Sequence, residues 1–306
     1  MTRVIESARF DIAAYLGERR RMVDDRLATC LPPESAYPEI IHQAMRYSLF
    51  AGGKRIRPIL ALATAEALDG DLDRVLPLAC ALELIHTYSL IHDDLPAMDD
   101  DDYRRGHPTC HTKFGEGIAI LAGNGLLTLA FRLLSEPSEG EGHTDRIRLR
   151  VIHHLCRAIG TSEGVIAGQV ADLTTQGKTF TAEELRYIHS AKTGALIEAS
   201  VSCAGILCDA DPAELERLGR FGLTVGLAFQ IVDDILDETG SPEELGKTLG
   251  KDRREGKATY PALYGLEKSR AESVRLIEEA VELLKPFGPP ARPLAEVARF
   301  ISVRRF

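Results

Sequence analysis

The sequence has no tryptophan, aromatic residues make up only 6%, and there is no excess of positive charge. A formal net charge of −9 leaves nothing in the whole-chain balance that suggests a nucleic-acid binder, whose footprint would be basic. A polyanionic substrate would need local help. The six cysteines, Cys30, Cys80, Cys110, Cys156, Cys203 and Cys208, include no Cys-x-x-Cys pair and no Cys/His spacing of a zinc site, so they are expected to be reduced core residues. Charges are mixed through Met1 to Arg21, without the apolar stretch of a secretory signal. The longest uncharged run, Gly117 to Phe131, is 15 residues long and contains Asn124 and Thr128, too short for a membrane span. These absences predict a cytoplasmic protein with no membrane span and no nucleic-acid partner.

What is present is an ordinary globular balance: 306 residues, 44% hydrophobic and 27% charged, enough for a substantial core. Apolar residues recur at three- and four-residue spacing, with no sustained strand-type alternation and no repeat of 20 to 50 residues, so the expected fold class is all-α. The spacing predicts helices over 3–29, 36–51, 57–69, 74–95, 111–135, 145–160, 163–176, 181–208, 212–238, 260–285 and 291–303. Thr181-Ala-Glu-Glu184 and Asp211-Pro-Ala-Glu214 read as helix starts of the capping-box type. Helices 74–95, 181–208 and 212–238 are apolar nearly all round, with Ala81, Ala199, Gly222 and Gly226 where neighbours could approach, and belong in the middle of a bundle. The Gly- and Pro-containing breaks at 137–142 and 240–250 separate nothing that looks independently foldable, so a single domain over 1–306 is expected.

Two acidic clusters carry the chemistry: His92-Asp93-Asp94-Leu95-Pro96-Ala97-Met98-Asp99-Asp100-Asp101-Asp102, and Gln230-Ile231-Val232-Asp233-Asp234-Ile235-Leu236-Asp237. In the second, Asp233 and Asp237 are four apart on one helical face and Asp234 is three before Asp237, so three carboxylates crowd one patch. In the first, Asp93 and Asp99 are six apart and would not share a face of an ideal helix. Pro96 lacks the N–H that would bond the His92 carbonyl and drives Leu95 out of the helical region, so the helix should end there and let Asp99 turn back toward Asp93. A solvated helix end is the bland alternative for either cluster. Both, however, sit in strongly apolar sequence, where carboxylates without a partner are costly. Hard oxygen ligands presented singly suit Mg²⁺, which shares its sphere with water and phosphate.

Cationic residues gather in Gly-containing segments: Gly52-Gly53-Lys54-Arg55-Ile56-Arg57-Pro58, Arg104-Arg105-Gly106, Lys192-Thr193-Gly194, Lys247 and Gly256-Lys257. Glycine lets backbone amides approach an anion, and arginine offers a fork that matches phosphate oxygens. Taken singly, Arg55, Lys251 and Arg253 are expected to be solvated surface residues. The run Gly240 to Thr248 misses the nucleotide phosphate loop by one residue, and Gly52-Gly53-Lys54-Arg55 lacks its Ser or Thr. His86 lies two turns before Asp93, within about 20° of the same face, and can look into the same space; alone it could equally be a core histidine.

In this order these residues resemble the trans-isoprenyl diphosphate synthases, most closely the bacterial type that makes farnesyl diphosphate, over nearly the whole chain. The resemblance implies the isoprenoid synthase fold, a helical bundle around a central cavity. It implies transfer of an allylic dimethylallyl or geranyl diphosphate onto isopentenyl diphosphate, with about three Mg²⁺ per site in a homodimer. By the family pattern Asp93 and Asp99 would hold two ions and Asp233 a third, with Asp94 and Asp237 acting directly or through waters. Arg104, Lys192 and Lys257 match the allylic-diphosphate clamps, with Lys247 assisting; Lys54, Arg57, His86 and Arg105 match the isopentenyl pocket. Thr193 and Gln230 match the dipoles that stabilise the carbocation. Tyr88, five positions before Asp93, with Ser89 beside it, matches the position that limits product length and implies a fifteen-carbon product. The C-terminal Arg304-Arg305-Phe306 maps to no part of the pattern.

Other readings remain open at this level. A geranylgeranyl or longer-chain synthase would have the same fold. A terpene cyclase would not need Lys54, Arg57 and Arg105 or a second complete acidic motif, and an inactive partner subunit of a heteromeric synthase would be expected to lose one cluster. A di-iron carboxylate bundle needs two Glu-x-x-His pairs, and Glu83-Leu-Ile-His86 is a single match.

Overall fold

A computed structural model of the chain describes residues 10–136, 142–239 and 256–303. In chain order the helices are α1 (Ile12–Cys30), α2 (Glu39–Phe50), α3 (Ile56–Ala67), α4 (Leu72–Asp93), α5 (Cys110–Phe114), α6 (Glu116–Ser135), α7 (Gly142–Ala158), α8 (Val165–Thr175), α9 (Ala182–His189), α10 (Ala195–Leu207), α11 (Pro212–Thr239), α12 (Tyr260–Tyr264), α13 (Leu266–Leu283) and α14 (Arg292–Val303). The class is all-α, as the periodicity predicts. Both capping boxes form: Thr181 and Glu184 satisfy each other's backbone N–H, and Asp211 accepts from Glu214 N while Glu214 Oε2 accepts from Asp211 N, each at 2.8 Å.

Three predicted helices are divided. Gly115, at φ +85°, separates α5 from α6, and Gly265, at φ +82°, separates α12 from α13. Between α9 and α10 the backbone widens into a π turn over Ser190–Gly194 rather than continuing as one regular helix. The other departure is a hairpin of two-residue strands, β1 (Tyr103–Arg104) and β2 (His107–Pro108), where the sequence shows no strand pattern. Its two loop residues, Arg105 and Gly106, both have positive φ, +53° and +77°, as a tight hairpin turn of the right twist demands.

The buried apolar residues form two large groups. One joins α2, α4, α6 and α7; the other joins α11, α13 and α14; α3 and α10 give one face to each. Small residues allow the central helices to touch. A Cβ on Gly226 of α11 would lie 2.6 Å from Gly194 Cα, and one on Gly168 of α8 would lie 2.1 Å from Lys192 N. Two neighbours, α8 and α11, are thus pressed onto the π turn that carries Lys192 and Thr193. The cysteines depart from expectation in part: all six are free, but Cys156 is exposed and only Cys80, Cys110 and Cys203 are fully in the core.

Candidate active site

Helix α4 ends at Asp93, three residues before Pro96. The chain then folds back: the Asp99 N–H donates to the Asp93 carbonyl at 2.8 Å and the Asp101 N–H to the Asp94 carbonyl at 3.2 Å. Asp100 takes positive φ, +50°, in the same turn. Asp93 and Asp99 are thereby brought together although a regular helix would hold them apart. Asp94 is buried and takes Arg104 Nε at 2.7 Å and Nη2 at 2.5 Å on one oxygen. Lys257 Nζ lies 3.2 Å from Asp99 Oδ1, and Lys192 Nζ 2.6 Å from Asp172 Oδ2. Burial pushes Asp93 up to about 6; Lys192 pulls it down and Asp99 adds to the rise. Burial works against the Lys192 ammonium too, but Asp172, Asp93 and Asp99 together outweigh it and raise its pKa.

The second cluster sits on an unbroken helix. Asp234, only 4% exposed, accepts from Gln230 Nε2 and Tyr260 N, each at 2.8 Å, and faces His189 Nε2 at 3.3 Å. Because its amide nitrogen is spent on Asp234, Gln230 offers its oxygen to the Thr193 hydroxyl at 2.6 Å. Asp237 is buried and Asp233 half-buried. The middle carboxylate is therefore taken up inside the protein, so the three do not crowd one patch as their spacing suggests. The sequence places Asp234 in the second cluster without a role of its own and gives no role to His189 or Asp172. The repeated Asp-Asp pair was the signal for the first; nothing in the sequence marks the other two.

These contacts form a circuit. Asp99 meets Lys257; Tyr260, three residues on, meets Asp234; Asp234 meets Gln230, Gln230 meets Thr193, and neighbouring Lys192 acts electrostatically on Asp93 and Asp99. The two acidic clusters are therefore neighbours in the fold. Among the described residues no three His, Cys, Asp or Glu side chains converge to cage an ion unaided. Mg²⁺ is typically held by one or two carboxylates plus phosphate and water. A buried carboxylate held up at about 6 beside two others is a site that a cation would relieve, so Asp93 and Asp99 fit an implied ion.

Arg57 and Arg105 lie close enough to His86 to act on it electrostatically. Burial and then Arg57, Arg105, Arg104 and Arg55 hold the His86 imidazole well below its ordinary pKa, so it is neutral at pH 7. Arg57 lies 6.0 Å from the ring centre of Phe229, the residue before Gln230, and Lys54 5.8 Å from that of Phe300 on α14. Arg55 corrects the expectation of a surface residue: it is 3% exposed and paired with Glu83 and Asp24.

Tyr88 is buried, and its ring meets His92 edge-on at 5.3 Å. His92 in turn lies 3.1 Å from the Ile120 carbonyl and against Gly123, so Tyr88 is backed by α6. Ser89 donates to the His86 carbonyl at 2.9 Å. An open groove of about 920 Å³ lies elsewhere, between α1, α13 and α14, and contains neither cluster. Lys247, Lys251, Arg253, Arg304, Arg305 and Phe306 lie outside the described residues.

Comparison with known proteins follows the same outline. The polyprenyl synthetase family model matches residues 38–286. A geranylgeranyl diphosphate synthase of Cyanophora paradoxa is 46% identical over 96% of this chain and 97% of its own length, and a farnesyl diphosphate synthase of Geobacillus stearothermophilus is 45% identical over 97% and 99%. A solved geranyltransferase from Helicobacter pylori, complexed with magnesium and isoprenyl diphosphate, is 34% identical with a TM-score of 0.82, covering 97% of this chain and 98% of that one.

Proposed function

Since this chain belongs to the polyprenyl synthetase family, we propose that it joins isopentenyl diphosphate to dimethylallyl and then geranyl diphosphate, releasing farnesyl diphosphate. It is a trans-prenyltransferase with the isoprenoid synthase fold. The observation that carries the reading is the circuit from Asp99 through Lys257, Tyr260, Asp234, Gln230 and Thr193 to Lys192, which links the two acidic clusters and sets cations beside the first.

Bound at Asp93, Asp99, Asp233 and Asp237, Mg²⁺ would supply charge to neutralise the allylic diphosphate as it leaves. Arg104, Lys192 and Lys257 would stabilise the same developing charge more than the intact ester, which is what lowers the barrier. Asp94, locked to Arg104, and Asp172, locked to Lys192, fix where those cations point. The carbocation left behind needs negative dipoles and no water. The Gln230 amide is oriented by Asp234, and Thr193 donates to it, so the two dipoles that would stabilise the cation are held in fixed directions. Lys54, Arg57, Arg105 and neutral His86 would hold the isopentenyl diphosphate, whose double bond attacks. No side-chain nucleophile is required, and the released diphosphate can accept the final proton.

The fifteen-carbon product rests on Tyr88, buried five residues before Asp93 and backed by His92 and α6. A geranylgeranyl or longer product is the second reading, since relatives of nearly equal identity carry both names. We further propose a cytoplasmic homodimer. Two helices, α4 and α6, are long and apolar enough to cross a membrane; 67% of the apolar window of α4 is buried in the bundle, against 44% for α6. The open face of α6 presents Ile120 and Leu121, 43% and 56% exposed, which a second copy would cover. An inactive partner subunit is disfavoured because both acidic clusters are complete.

The test is to incubate the purified protein with isopentenyl diphosphate, Mg²⁺ and dimethylallyl or geranyl diphosphate, and to measure product carbon number. Farnesyl diphosphate should dominate, and Tyr88→Ala should lengthen the products. Mainly twenty-carbon product from the wild type would remove the farnesyl assignment, and no condensation would remove the reading altogether.

A further inference from the structure

Arg55 is too deep to touch a substrate. Its side chain is 1% exposed, and it donates in four directions: Nε to Asp24 Oδ1 at 2.8 Å, Nη1 to Glu83 Oε1 at 2.7 Å and to the Gly52 carbonyl at 3.1 Å, and Nη2 to the Leu49 carbonyl at 2.8 Å. It therefore binds together α1, the end of α2, α4 and the loop that leads into α3. The residue itself sits at φ +55°, a left-handed conformation that a side chain beyond Cβ disfavours and that the surroundings must enforce.

One of those acceptors is shared. The Gly52 carbonyl also receives Arg105 Nη1, from the tip of the hairpin. The fit is close: a Cβ on Gly53 would lie 2.6 Å from that same Arg105 nitrogen. Arg105, also left-handed, has burial and the charges of Arg55 and Arg104 acting against its own charge, with Glu83 partly compensating. A guanidinium held in this way, beside Arg57 and a neutral His86, is positioned to receive an anion.

We infer that Arg55, with Glu83 as its counter-charge, is a positioning residue for the isopentenyl diphosphate pocket: it fixes the Gly52 carbonyl on which Arg105 rests and aligns the loop that carries Lys54 and Arg57. The inference rests on the prenyl-transfer reading above. A strut with no such role would be missed in stability alone. A positioning residue is missed by one substrate and not by the other, because none of the four hydrogen bonds of Arg55 reaches Arg104, Lys192, Lys257 or an aspartate of either cluster.

The experiment compares full-length wild type, Arg55→Met, Arg55→Lys and Glu83→Gln. KM for isopentenyl diphosphate is measured at saturating geranyl diphosphate, and KM for geranyl diphosphate at saturating isopentenyl diphosphate. Arg55→Met and Glu83→Gln should raise the isopentenyl KM by about tenfold or more, a loss of one good charge-assisted hydrogen bond, and leave the geranyl KM within about twofold. Arg55→Lys, which keeps the charge but not the fork, should recover part of the loss. If Arg55→Met does not fold, Arg55→Lys and Glu83→Gln carry the test. Equal rises in both KM values, or an unchanged isopentenyl KM in folded variants, would overturn the inference while leaving prenyl transfer intact. A wild type that fails to condense the two substrates would instead remove the functional reading on which it stands.

Discussion

The two aspartate-rich segments look like repeats of one motif, yet the protein uses them differently. The first is a helix end folded back on itself at Pro96. Its acceptors are met by full charges from distant parts of the chain: Arg104 from the hairpin on Asp94 and Lys257 on Asp99, with Lys192 from the π turn nearby. The second is a regular helix whose middle aspartate is turned inward to a backbone N–H, an amide and an imidazole. Mobile charge is balanced at the first site, and shape is held at the second. Asp94 and Asp234 hold the frame, and the metal role proposed above falls on Asp93, Asp99, Asp233 and Asp237.

The division would break most visibly in activity. Asp93→Ala and Asp233→Ala each remove a carboxylate assigned to Mg²⁺, and kcat should fall about 10³-fold or more in either, comparable to the loss of a principal charge-stabilising group. Steady-state turnover of geranyl diphosphate with isopentenyl diphosphate measures this. Undiminished turnover in one of them would show that only the other segment handles metal.

A second test separates frame from function. Asp234→Asn keeps the side chain's size but sets an amide against donors that need an acceptor, so stability should drop by about 2–4 kcal/mol. The reoriented Gln230 should also lower kcat about tenfold, with both KM values little changed. Denaturant unfolding and initial rates give the two numbers. If Asp234→Asn proves as stable as wild type, the inward-turned carboxylate is not a scaffold and the contrast between the segments fails.

Much of this was open to sequence reasoning, for reasons that differ by segment. Pro96 dictates the helix end and with it the approach of Asp99 to Asp93, because a missing N–H and a steric clash act locally. The caps at Thr181 and Asp211 are equally local. What escaped were the residues whose importance depends on distant partners. Asp234 looks like its neighbours until His189 and Tyr260 are brought to it by packing. Arg55 looks like a surface cation until Glu83, 28 residues later, closes on it at 2.7 Å. The hairpin was invisible because two residues per strand carry no periodicity, although Arg105-Gly106 offers a glycine where its turn needs one. The π turn depends on α8 and α11 pressing on it, which no window of sequence contains.

The finest distinction comes from the same substitution made in the first segment. Asp93 is held up to about 6 against an ordinary value of 3.8, with burial as the main cause. A group whose folded-state pKa is raised gives its full stability below the unfolded value and loses it as pH climbs through the folded one. In metal-free protein the Asp93 contribution should therefore fade between about pH 4 and 6, leaving at pH 7 a buried charge that Lys192 and Arg104 only partly compensate. Asp93→Asn removes that charge. Without divalent ions at pH 7 it should melt higher than wild type, by about 2–6 °C, although it is nearly inactive. Added Mg²⁺ should raise the melting temperature of the wild type more than that of the variant and close the gap. Asp234→Asn, measured alongside, should move the other way, because its carboxylate is already satisfied by protein donors and gains nothing from losing its charge. Melting shifts of the same sign in the two variants would mean that one electrostatic environment serves both segments.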